Sequence, residues 1–173
     1  MRIALMSVAG LLVSAGCWVG PPEETTDVNR YHALRRSWSD LADHFPGEIP
    51  ASARSVSCSH FPGFLQGGAW LQLRVELPDR EVEAIEARIA PRAIRRYEGG
   101  GDVTRHLNQL DGLPTTTYRT GAEGSGEFPE SFTLYVLRAE DRGSPGHAWN
   151  HGLSAGLSIS KERGEVVYWA DRW

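Results

Sequence analysis

Val28, Tyr31, Leu34, Trp38, Leu41 and Phe45 recur at steps of three and four, with Arg30, Arg35, Asp40 and Asp43 falling between them. That spacing lays one apolar stripe along a helix. Thr26 or Asp27 can cap its start, and Pro46-Gly47 stops it. Residues 55–61 then read as extended, with Val56 and Cys58 on one side of a period-two pattern, up to the break at Pro62-Gly63. From 69 to 77 the alternation is clean: Ala69, Leu71, Leu73, Val75 and Leu77 on one face, and Trp70, Gln72, Arg74 and Glu76 on the other. A strand buried on one side only is predicted, with Trp70 exposed on the polar side. Asp79 can cap a second helix whose inner face is Val82, Ile85 and Ile89, and Pro91 ends or kinks it.

The periodicity fades over 97–131, where Gly99-Gly100-Gly101, a short helix from 103 to 110 capped by Asp102, and a Gly, Thr and Ser-rich stretch follow one another. Structureless loops of that length are uncommon in a compact domain. This region is therefore expected to be a mobile flap or to hold elements with weak patterns. Residues 132–137 are almost uniformly apolar and read as a central strand, and 153–160 and 165–169 as a hairpin turning at Lys161–Gly164. Each half-apolar element must be covered, which gives an α+β domain over 27–173. Its antiparallel sheet of about five strands has two or three helices packed on one face.

Ahead of the domain, Arg2 precedes an uncharged apolar run from 3 to 13, and Ser14, Ala15 and Gly16 lead into Cys17. This is the layout of a secretory signal over 1–16. Val13-Ser14-Ala15-Gly16-Cys17 resembles the lipobox of bacterial lipoproteins. The resemblance implies cleavage before Cys17 and acylation of its thiol, hence a palmitate-type anchor; Ser14 departs from the branched apolar residue preferred there, which leaves ordinary signal cleavage open. The 17–26 stretch, with Pro21-Pro22 and Glu23-Glu24, reads as a tether of about one to two nanometres. Trp18 suits a lipid interface.

Only Cys17 and Cys58 are present, so a lipidated Cys17 leaves Cys58 unpaired and, by its pattern, buried. Without lipidation a Cys17–Cys58 bridge stays open. The formal charge is −4 with no cluster of like charge, which argues against a nucleic-acid partner.

Candidate chemistry is sparse, and no motif implies a cofactor. Gly152-Leu153-Ser154-Ala155-Gly156 matches the nucleophile-elbow pattern, but a strand follows the serine and no histidine lies downstream. His147 and His151 are spaced four apart and could share a metal with His60, His106 or Asp171, although glycines around them favour a loop. Phe61, Phe64, Trp70, Gln72 and Arg74 combine rings, glycine-flanked loop and polar strand face, a composition suited to binding. Asp43 with His44, and Asp171 beside Trp169 and Trp173, read as surface or capping residues.

The segments 62–74 and 167–173, the latter Val-Tyr-Trp-Ala-Asp-Arg-Trp, resemble a group of small uncharacterised bacterial lipoproteins. That resemblance implies one envelope domain and no particular activity. The expected role is a lipid-anchored envelope protein that binds a partner, possibilities besides being an envelope hydrolase or metal enzyme using His147 and His151, or an inhibitor or immunity-type protein.

Overall fold

The computed structural model describes residues 21–63, 68–101, 112–121 and 125–173. The leader, Cys17, Trp18, Phe64 and the expected helix at 103–110 with His106 lie outside these.

The five strands expected from the patterns are all present: β2 (Ser55–Phe61), β3 (Ala69–Glu76), β7 (Thr133–Asp141), β8 (Gly152–Ser160) and β9 (Glu165–Arg172). Two short strands, β1 (Glu23–Thr25) and β4 (Arg95–Glu98), extend them into one antiparallel sheet of order β1-β2-β3-β9-β8-β7-β4. A separate pair, β5 (Tyr118–Arg119) with β6 (Ser125–Gly126), lies in the region whose pattern had faded. The expected tether is shortened accordingly, because Glu23 pairs with His60 and Thr25 with Cys58. The centre of the sheet is β9; β7 lies one strand in from the β4 edge.

Helix α1 (Val28–Ser37) starts where Asp27 accepts the Asn29 N–H. It ends sooner than its stripe, since Trp38 N–H turns to the Arg35 carbonyl, and shorter turns carry Leu41 and Phe45 inward. The Tyr31 hydroxyl donates to the Pro46 carbonyl and fastens that return. Val28, 39% exposed, is the one stripe member outside the core. Helix α2 (Asp79–Ile89) takes Pro78 as its N-cap, so Asp79 is a first-turn residue and not the cap. There its charge still favours the helix N-terminus. A 3-10 turn (Ala90–Arg92) contains Pro91. Both helices cover the sheet face carrying Leu71, Leu73, Val75, Leu157 and Tyr168, through Tyr31, Leu34, Val82 and Ile89.

The opposite face is also covered. Tyr118, Phe128 and Phe132 stack with centroids 5.1 to 5.4 Å apart and close a second core over Leu134, Val136, Val167 and Trp169. This corrects the one-sided reading of β3. Gln72 is 1% exposed, its amide donating to the Thr117 carbonyl and accepting from the Arg119 N–H. Arg74 bonds Glu165 at 3.0 Å, and the Tyr118 hydroxyl donates to the same carboxylate. Glu165, with a side chain 4% exposed, thus keeps a charge and a hydroxyl against it in the interior, the arrangement that makes a buried carboxylate tolerable. A register shift between Val136 and Arg138 lets Ala139 join this second face.

Candidate functional site

One row of the second face crosses β3, β9, β8 and β7 through Trp70, Asp171, Ser154 and Ala139. Arg119, delivered by β5, lays its guanidinium over the Trp70 indole with Cζ 3.7 Å from the ring centroid. Phe61, the ladder partner of Trp70, stacks on it at 4.6 Å. Trp70 is half-buried in this sandwich, not free on an open face as expected. Trp and Arg held rigid in this way lose little entropy on contact with a partner.

Beneath the platform, polar atoms gather that are closed to solvent and lack hydrogen-bond partners among the described residues: Ser154 Oγ, Trp169 Nε1, Asp171 Oδ1, Thr117 Oγ1 and Arg119 Nε. Burial pushes the Asp171 carboxyl up to about 6, against the opposing pull of the Arg119 guanidinium and the Thr116 hydroxyl. Burial likewise lowers Arg119. Donors and acceptors are both present in this group.

On the helix face, a groove of about 380 Å³ runs between Ser39, Asp43, His44, Arg92 and Arg138, next to a hollow of about 310 Å³ that reaches Arg88 and Tyr168. The His44 ring, 3% exposed, forms part of their floor. Its Nε2 is 3.1 Å from the carbonyl oxygens of both Gly156 and Trp169, which assigns the proton to Nε2. Nδ1 faces Asp43 at 3.6 Å. Burial lowers the His44 pKa, opposed by Asp43 and the two carbonyls. A neutral ring bonded to two strands fastens the sheet and is poorly placed to move protons.

The remaining sequence candidates are dispersed. His147 and His151 are exposed in the β7–β8 loop, and His60 sits on β2 with its ring edge-on to Trp38 at 6.3 Å. Among the described residues no group of three His, Cys, Asp or Glu side chains could hold a metal ion. Ser154 is mid-strand and fully buried, as its strand context implied. Phe61 and Trp70 are brought together, whereas Gln72 and Arg74 are occupied inside the second core. Sequence reading missed Arg119; it took Asp171, and Asp43 with His44, for surface or capping residues, whereas Asp171 Oδ1 is closed to solvent and the His44 ring is 3% exposed. Comparison with protein-family models, curated proteins and solved structures gives no match.

Proposed function

We propose that the chain is a lipid-anchored protein of the bacterial envelope that works by binding, with the Phe61–Trp70–Arg119 stack as its contact platform. The anchor reading rests on the leader and its Val13–Cys17 sequence. The binding reading is carried by one observation: a half-exposed indole clamped between a phenyl ring and a guanidinium at 4.6 and 3.7 Å, above buried polar atoms without hydrogen-bond partners among the described residues. Rigid Trp and Arg side chains of this kind dominate binding energetics where they occur.

Two experiments in the producing bacterium test the two halves. Replacing Cys17 by Ser should abolish incorporation of labelled palmitate and move the protein out of the membrane fraction; unchanged labelling would contradict the anchor. A photo-crosslinking residue at position 62, exposed beside Phe61, should give discrete adducts that are lost with Arg119→Ala, while one at position 162 should give none. Equal adducts at both positions would contradict the platform.

A further inference from the structure

We infer that the domain rests on the phospholipid headgroup zone of its own membrane, with the β7–β8 loop and Trp173 turned towards the bilayer. The inference goes beyond the proposed function and depends on its lipid-anchor half.

The register of β1 sets the direction. Glu23 pairs with His60, one residue from the end of β2, so the chain arriving from Cys17 joins the sheet at the end where β2, β9 and β7 finish and β3 and β8 begin. Six steps separate Cys17 from Glu23, a reach of roughly 20 Å at full extension. An acylated Cys17 therefore keeps this end of the sheet close to the bilayer.

That end is built to meet it. Trp149 is the one described non-glycine residue with positive φ, at 60°, a conformation rare for a bulky side chain and maintained only by its surroundings. Asp141 Oδ1 accepts the Trp149 N–H at 2.9 Å, and the Trp149 carbonyl accepts the Trp173 indole N–H at 2.7 Å. The two half-exposed indoles lie 6.3 Å apart. Indole favours the membrane interface.

Charge does not oppose that contact. The loop 142–151 holds Arg142, His147 and His151 and no carboxylate. The carboxylates nearby are already engaged: Asp40 by Arg172, Glu140 by Arg138 and Arg142, and Asp141 by the N–H groups of Gly143 and Trp149. The loop itself, which holds no carboxylate, does not repel an anionic surface. One acyl attachment site supplemented by interfacial side chains is the two-signal arrangement that makes anchoring stable.

The test uses the full mature lipoprotein carrying Trp18→Phe, purified from membranes and checked by mass for its acyl chains. It is reconstituted in vesicles of phosphatidylethanolamine and phosphatidylglycerol, with or without bromine on the acyl chains close to the headgroup. Tryptophan fluorescence should be quenched by the brominated lipid. Trp149→Phe, which keeps both backbone bonds, should remove about half of that quenching, and Ala148→Glu should reduce it by repulsion. Acylated protein with equal fluorescence in both vesicles would overturn the orientation and leave the anchor standing. Protein without acyl chains would overturn both.

Discussion

Asp171 on β9 and Ser154 on β8 are ladder partners, and Asp171 Oδ1 and Ser154 Oγ are both closed to solvent without a hydrogen-bond partner among the described residues. Burial lifts the Asp171 carboxyl from an ordinary 3.8 to about 6, so the folded state holds this proton more tightly than the unfolded chain does. The resulting cost is fully present above pH 6, fades as pH falls, and is gone below the unfolded value. Asn mimics the neutral acid. Asp171→Asn should exceed the parent in stability by about 2 kcal/mol at pH 7.5 and match it near pH 4, a difference that urea unfolding at both pH values measures.

His44 has the opposite sense for a base. Its folded pKa is depressed by burial, so its contribution is complete above the unfolded value of 6.5 and is lost as pH falls below it, where the unfolded chain takes up the proton first. His44→Ala leaves the Gly156 and Trp169 carbonyls without this donor. Stability at pH 7.5 should fall by about 2 to 3 kcal/mol, with a shallower loss of stability on acidification from pH 6.5 to 5 than in the parent. Urea unfolding as a function of pH reads both effects.

Gly156 and Ser154 separate the strand reading of the 152–156 motif from the nucleophile reading. A Cβ on Gly156 would meet the Tyr135 carbonyl oxygen at 2.1 Å and Trp169 Cζ2 at 2.7 Å. Gly156→Ala should therefore cost about 3 kcal/mol or more. Ser154→Ala removes a buried hydroxyl that has no partner among the described residues and should be neutral or stabilising by up to about 1 kcal/mol. Thermal unfolding of the two variants gives the comparison, and a loss of stability in Ser154→Ala would mean that the hydroxyl has a partner after all.

Cys58 is buried, and burial pushes its thiol up to about 12. The thiolate needed for attack is then scarce. In acylated protein no thiol should react with an aromatic disulfide reagent until the chain is unfolded, when one should react. A thiol reacting in the native state would identify an unmodified Cys17 or an open Cys58.

Long, regular patterns carried most of the fold. The alternation of β3 and the stripe beginning at Tyr31 were legible because each extends over several residues of one period. Strands β1 and β4, of three and four residues, are too short to show a period, and β1 was further disguised by the prolines before it. The polar side of β3 looked solvated because Gln72 and Arg74 are polar. Their partners Thr117, Arg119 and Glu165 lie 45 or more residues away, a distance no local pattern spans. The same reason hid the candidate site: Phe61 and Trp70 could be named as rings flanking a loop, but Arg119 and Asp171 acquire meaning only once β5 and β9 meet them.

The proposed anchor at Cys17 underlies both the proposed role and the membrane-facing orientation, and intact-mass measurement of the protein isolated from bacterial membranes tests it most directly. The expected species begins at Cys17 and carries the added mass of a diacylglyceryl group. A species that retains Met1–Gly16, or one that starts after the leader with an unmodified Cys17, would contradict the account.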